Sequence, residues 1–531
     1  MTTRLAAFVF AAITGLALQA GAQNKTFVYC SEASPSTFNP QLATDGPTFN
    51  ASAYTVYNRL VEFEPGGTKV VPSLAESWEV SKDGKTFTIK LRKNVPFHTT
   101  AAFKPTRPFG ADDVVFTFNR MLKDDHPYNK VSGGVYEYWK SMDMGKLVKS
   151  VDKVDDSTVR FVLTQPEAPF LANMAMAFAS ILSAEYGDQM LKAKTPTKVD
   201  IEPVGTGPFV FKSYRKDSDI RFEANKDYFQ GKPALDKLVF AITKDANVRI
   251  QKLKRGECQL AAEPSAAAIK ALKTAGNVQI LEQEGLNIGY LAFNVEKAPF
   301  NKVEVRRAIS HALNKAAYLD AIYLGNAVNA KNPIPPTMWS YNDKVQDYTY
   351  DVAKAKELLA KAGFPNGFEA NLWWIPVSRP YNPNGKKMAE MMQADLAKIG
   401  IKVNLVSFEW GTYLDKARLG EHQMILAGWT GDNGDPDNFL SVLLSCEAAK
   451  NGSNYSRWCD KNYEKLIDSA KVTADQKKRT SLYQEAQAIF KEEAPWVTLA
   501  HAKVYRALDK RVQGFKMSPF GTDSFYGVDL K

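Results

Sequence analysis

Three aspartates crowd into Gly428-Trp429-Thr430-Gly431-Asp432-Asn433-Gly434-Asp435-Pro436-Asp437-Asn438-Phe439, directly after the apolar run Met424-Ile425-Leu426-Ala427. Carboxylates this close repel one another, so each needs a cation or a structural task. Four chemistries suit these residue types: a metal loop, an acid/base site, a turn that caps its own backbone, and an anchor for a positively charged ligand. A calcium loop of the EF-hand kind requires Gly at its sixth position and Glu at its twelfth. Counted from Asp432, those positions hold Asp437 and Leu443, so the calcium reading fails. Hydrolysis is equally starved. The five histidines, His98, His126, His311, His422 and His501, form no H-E-x-x-H and none stand four apart, and no G-x-S-x-G occurs. Gly205-Thr206-Gly207-Pro208 lacks both the length and the following helix of a phosphate loop, and reads as a turn.

A second charged group stands in WWIPVSRPYNPNGKKMAE, a strand, a loop and a helix opening near Asn384. The loop carries Arg379, whose guanidinium type can hold a carboxylate through two parallel hydrogen bonds, and Tyr381. By residue type alone Asp432 reads as a turn residue and Arg379 as a loop arginine. Trp373 and Trp374 read as core; Trp429 is either core or the wall of a site.

The elements that must position these groups change texture along the chain. Lys25 to about Gly285 alternates with period two in KTFVYCSE, GKTFTIKLRK, DSTVRFVL and KLVFAIT, interrupted by the helical ADDVVFTFNRML. From about Leu286, strands (NIGYLAFNV, EANLWWIPV, IKVNLVSF) alternate with helices. EVRRAISHALNKAAYLDAIYLG predicts one helix ending at Gly325; DVAKAKELLAKAG predicts a helix capped by Asp351 and stopped at Gly363. Met388, Met391 and Met392 fall on a core face. WVTLAHAKVYRAL then restores the first texture, so the chain crosses twice between two bodies, near Gly289–Asn294 and Thr498–Tyr505.

At 531 residues, with 45% hydrophobic and 24% charged residues, the chain predicts two or three folded bodies. MTTRLAAFVFAAITGLALQAGAQ has Arg4, an apolar stretch and small residues Ala20 and Ala22, which predicts an export signal over residues 1–22 with no lipid anchor. Four cysteines in an exported chain suggest disulfides, and four allow three pairings. Cys446 and Cys459 are near neighbours, which would leave Cys30 for Cys258. A zinc site lacks any C-x-x-C pair. The net charge of +10 is spread along the chain, without a basic stripe, which argues against nucleic acid.

VPSLAESWEVSKDGKTFTIKLRKNVPFH, ADDVVFTF, PVGTGPF and YTYDVAKAKELLAKAGF resemble the peptide-binding class (family 5, peptide/nickel-type) of extracytoplasmic solute-binding proteins of ABC transporters. VYCSEASPSTFNPQLATDG, PIPPTMWSYNDKVQDYTYD, VSRPYNPN and GWTGDNGDPDNF are similar to the dipeptide receptors within it. The resemblance covers nearly the whole mature chain. One departure is Phe97-His98-Thr99-Thr100, with an insertion, where the family has F-H-D-G.

The resemblance implies an α/β, two-lobed periplasmic binding protein (type II, cluster C-like) with an extra subdomain in lobe I and a two-strand hinge. The expected divisions are 1–22 signal, 23–285 lobe I with the inserted subdomain at roughly 56–200, 286–500 lobe II, and 501–531 a return to lobe I. It implies disulfides Cys30–Cys258 and Cys446–Cys459. The implied function is substrate binding for a dipeptide importer, with the inner-membrane ABC permease as partner. No cofactor, metal, nucleic acid or enzymatic activity is expected, and the protein is expected to be a monomer. Glutathione or haem receptors of the same family are the alternatives; an exported peptidase is the remote one.

A receptor for many dipeptides must hold what all share: an ammonium, a carboxylate and one amide. Two residues extend about 7 Å at roughly 3.3–3.6 Å each, so a fixed pair of opposite charges also measures length. By resemblance Asp432 is the ammonium anchor and Arg379 the carboxylate anchor. Gly428 and Gly431 would let backbone approach backbone, Trp429 and Thr430 would offer main-chain pairing, and Tyr381 a wall or hydroxyl. Asp435 and Asp437 would hold the turn. From lobe I the likeness places Glu32 to Ser34 and Thr44 to Gly46, hence Ser34, Thr44 and Gly46, at the cleft.

Overall fold

One strand of fourteen residues, Trp496–Asp509, runs through both lobes and organises the molecule. The computed structural model describes residues 25–531; the expected export signal lies outside them. The first part of the long strand pairs antiparallel with Asn287–Phe293, for example Leu291 opposite Val497. Its last part pairs with Val278–Glu284, from Lys503 opposite Glu284 to Asp509 opposite Val278. Around it the main sheet runs Lys402–Val406, Glu369–Trp373, Met424–Thr430, Asn287–Phe293, Trp496–Asp509, Leu260–Ala261, Thr26–Ser31, Lys237–Ile242, Asp219–Ala224, Phe209–Arg215. Helices cover the strands of the second lobe, as the alternating texture predicts.

Partners change between Glu284 and Asn287 on one connection and at Ala502 on the other, the first of these ahead of the span suggested by texture. The buried Asn287 amide ties the two: its Nδ2 donates to Ala502 O and its Oδ1 accepts from Ala502 N, both at 2.8 Å. Gly285 lies against this clamp. A Cβ there would stand 2.1 Å from Asn287 Nδ2 and 2.3 Å from Ala502 O, so only glycine fits without displacement.

The apolar cores follow the lobes. One combines Phe27, Tyr29, Val56, Phe118 and Phe161 with Leu508 and Phe525, so the C-terminal segment completes the first lobe. Two others are built from Leu286 onward, one on Leu291, Ile309, Met388 and Met392, the other on Tyr290, Trp373, Phe439 and Trp496. Trp373 is therefore core, and Trp374 packs half-buried against the neighbouring cluster. Within the first lobe a separate antiparallel sheet, Ala75–Val80, Thr86–Leu91, Thr158–Leu163 and Val148–Asp155, packs on the helix Ala111–Leu122. The departing segment at Phe97–Thr100 lies here, with His98 N donating to Gly205 O at 2.8 Å.

Capping residues set several boundaries. Asp351 accepts from Lys354 N and Gly363 adopts φ +90°, bounding the helix Val352–Lys361. The single helix predicted over 304–325 is instead interrupted. It ends at Ala312, Leu313 is extended, and Asn314 caps a new turn by accepting from Ala317 N. The local cap outweighs the apolar periodicity there. No described helix is long and apolar enough to cross a membrane.

Both disulfides are present, Cys30–Cys258 with Cα atoms 5.8 Å apart and Cys446–Cys459 with 4.6 Å. The second closes a loop of 13-residue separation, for which chain-entropy arguments give about 3 kcal/mol. Replacing Cys446 and Cys459 by alanine is expected to lower the unfolding free energy by about 2–4 kcal/mol in denaturant titration. An unchanged midpoint would show that this cross-link contributes nothing to stability.

Candidate functional site

The Met424–Thr430 strand is buried through Ala427 and opens at Gly428. On one side it keeps its partner to the end, with Trp429 opposite Ile288 and Thr430 opposite Asn287. On the other, Glu369–Trp373 accompanies it only at Met424 and Ile425. The Tyr413 hydroxyl donates to Leu426 O at 2.7 Å, and beyond that no strand partner lies on this edge among the described residues. Gly428, Trp429 and Thr430 thus stand half-buried on an unpaired strand edge, where an extended peptide can add as a further strand.

The three aspartates have separate tasks. Asp435 is buried and grips Arg479 with two hydrogen bonds of 2.7 and 2.8 Å. Asp437 accepts from Ser441 Oγ, and its charge is the largest influence holding Lys471 protonated well above the usual lysine range. Both belong to the turn and the helix it starts, Asp437–Leu444.

Asp432 is different. No described cation forms an ion pair with it, and burial of its carboxyl pushes its pKa up to about 6. Two neutral donors oppose that shift: the Tyr138 hydroxyl reaches Oδ1 at 2.6 Å, and Asn438 Nδ2 stands 3.4 Å from Oδ2. Asp432 is therefore a half-buried carboxylate supplied with hydrogen bonds and lacking a counter-charge.

Arg379 sits in a tight turn, exchanging backbone hydrogen bonds with Asn382 at 3.0 and 3.1 Å. Its guanidinium lies over the Trp410 ring, 5.1 Å from the centroid, a stacking that restrains the group, and it shares a side-chain hydrogen bond with Tyr381. The turn is anchored through Tyr381. Tyr323 OH donates to Tyr381 O at 2.6 Å, and the Tyr381 ring packs onto the sheet where Gly428 and Gly289 face each other. A Cβ on Gly428 would stand 2.1 Å from that ring, and one on Gly289 2.3 Å from Tyr381 O. Burial pushes the Tyr381 hydroxyl pKa up to about 12, with the adjacent Arg379 charge pulling against it. The paired glycines thus seat the arginine's turn against the strand that carries Asp432 four residues later.

The first lobe meets this site through residues that the sequence reading did not single out. Tyr138 reaches Asp432 from a distance of 294 positions in the chain, and its ring packs on Phe178 and Phe49. Asn433 donates to Asn173 at 2.7 Å, and Ala168 N donates to Lys471 O at 2.7 Å. Trp410, under Arg379, was likewise unmarked. Of the residues placed at the cleft by resemblance, Ser34 is engaged with Asp217, donating at 2.9 Å. Thr44 is exposed, and Gly46 opens the short helix Gly46–Ala51 with nothing within 4 Å of its Cβ direction. That helix carries Phe49, which packs on Tyr138. Burial, and then Glu263, pushes the Glu32 pKa up to about 7.

Two lobes joined by two strand connections, with an uncompensated carboxylate and a stacked arginine beside the joint, define a two-lobed solute-binding protein. The sequence places it further. Residues 69–451 match the family described as bacterial extracellular solute-binding proteins, family 5 (middle), and the chain belongs to that family. It is 53% identical over 519 residues to the dipeptide-binding protein of Escherichia coli K12, covering 98% of this chain and 97% of the other. It is 51% identical over 507 residues to heme-binding protein A of Haemophilus influenzae, covering 96% and 92%. In structure it is similar to the dipeptide-binding protein of Pseudoalteromonas sp. SM9913 in complex with Met-Leu, at TM-score 0.86 and 41% identity, covering 96% and 100%.

The seating of Tyr381 is testable through the glycines. Gly428→Ala is expected to lower stability by about 1–3 kcal/mol, because the ring or the strand must move. Gly46→Ala, facing open space, is expected to stay within about 0.5 kcal/mol of the parent. Equal unfolding midpoints for the two variants would contradict the packing described.

Proposed function

We propose that the protein is the periplasmic substrate-binding component of an ABC importer and that its ligands are dipeptides. The reading is carried by Asp432: a half-buried carboxylate with two hydrogen-bond donors and no cation among the described residues is completed by a ligand ammonium. Arg379, held over Trp410, takes the ligand carboxylate in this reading. The unpaired edge at Gly428–Thr430 takes the amide between them. Tyr138 belongs to the ammonium end, and Ser34, Thr44 and Gly46 to the facing lobe. The names of the dipeptide-binding relatives support this choice.

The same reading makes residues 1–22 a cleaved export signal and assigns lobe II to residues 286–500. It makes the mature protein a monomeric receptor for an inner-membrane permease, with no catalysis of its own. Haem is the second ligand to titrate, because of the heme-binding relative. Against it, His98, His422 and His501 are buried, each with one ring nitrogen on a backbone carbonyl at 2.7–2.8 Å, and burial pushes all three pKa values down to about 4.

Calorimetry with protein stripped of co-purified ligand tests the assignment. At pH 7, Asp432→Asn is expected to weaken dipeptide binding at least about tenfold, roughly 1.4 kcal/mol, with folding intact. The pH dependence has a definite sign. Asp432 must be ionised to receive an ammonium, so below its free value of about 6 binding expels a proton. Affinity should therefore fall as the pH drops from about 6 to 4, approaching tenfold per unit, and the slope should vanish in Asp432→Asn. A parent protein with flat affinity over that interval would remove Asp432 from the ammonium role. Arg379→Ala is expected to lose dipeptide affinity and to narrow the preference for dipeptides over tripeptides. Retention of full length discrimination would take that role from Arg379.

A further inference from the structure

Asn438 is the second residue of the helix Asp437–Leu444 and only 4% exposed, yet its side chain turns back to the end of the preceding strand. Its Oδ1 accepts the Asp432 main-chain N–H at 2.9 Å and the Trp429 indole N–H at 3.0 Å. Both partners can only donate, so the amide has one orientation: oxygen toward the two N–H groups, NH₂ toward Asp432 Oδ2, 3.4 Å away. We infer that Asn438 is the positioning residue of the ammonium anchor, locking Trp429 and Asp432 into one unit and donating to the carboxylate in its charged form. This inference rests on the ammonium role proposed for Asp432.

The plainer alternative is that Asn438 only shapes the turn. The two roles need different atoms. A turn requires the acceptor, and aspartate supplies an isosteric one for both N–H groups. Holding an ionised carboxylate requires the donor, which aspartate lacks once it is ionised. Aspartate would also set a second negative oxygen opposite the first. The nearby cations offer no relief: Arg479 is committed to Asp435, and Lys471 lies under the charge of Asp437. Tyr138, from the facing lobe, would remain the sole described donor on the Asp432 carboxylate. Asn438→Asp therefore keeps the turn and removes the support.

The experiment is calorimetric titration with alanyl-alanine from pH 4.5 to 8 on the stripped mature protein, its Asn438→Asp and Asn438→Ala variants, with thermal unfolding of each. The parent should lose affinity below about pH 6. In Asn438→Asp the midpoint of that loss should rise by at least about one unit while Tm changes by only a few degrees, because two facing carboxylates titrate as a pair. In Asn438→Ala the midpoint should also rise, with a lower Tm from the two stranded N–H groups. A parent midpoint near 6 that stays in place in both variants overturns the positioning role and leaves Asp432 as the anchor. A parent without any acid loss overturns the ammonium role, and this inference with it.

Discussion

Shielding a charge from water without a counter-ion is costly, and among the described residues Asp432 is held half-buried in that condition. Its neighbours could have neutralised it, as Arg479 neutralises Asp435. Instead it receives two neutral donors, one from each lobe, which align the carboxylate and leave its charge unanswered. In the proposed reading a ligand cation restores the balance, and the Tyr138 hydroxyl, reaching Asp432 from the facing lobe, joins the two lobes at the same carboxylate.

Everything around that carboxylate serves placement. The Asn287 amide clamps the two inter-lobe connections, and the Trp496–Asp509 strand runs through both halves. The strand that leads into the Asp432 turn leaves its neighbour at Ile425, which creates the open edge. Glycines opposite one another at 289 and 428 let Tyr381 lie on the sheet, and Tyr381 fixes the turn that aims Arg379. The negative and positive groups are thereby referred to one rigid surface rather than to two independent loops.

How much of this was legible in the sequence depended on range. Local signals sufficed for the cap at Asp351 and the helix start near Asn384, for the methionines of the core face, and for the strand that delivers the aspartate turn. The same periodicity misjudged Leu313-Asn314, where one side-chain cap broke a helix whose apolar spacing ran on. The division of labour among three aspartates was only partly readable, because Arg479 and Lys471 enter from helices farther along the chain. Tyr138 and Trp410 were invisible. Each meets the site across the tertiary structure, and an aromatic residue in an amphipathic segment carries no mark of what its far edge touches. Arg379 and Asp432 were singled out by resemblance, since by type alone each was an ordinary loop residue.

The central claim is that ligand binding replaces a missing positive charge at Asp432. Proton release on binding measures this directly, by titrating alanyl-alanine at pH 5.5 in buffers of different ionisation enthalpy. With a free carboxyl near 6, the account predicts release of a substantial fraction of a proton per dipeptide, abolished in Asp432→Asn. Release close to zero in the parent, or release of the same size in the variant, would contradict it.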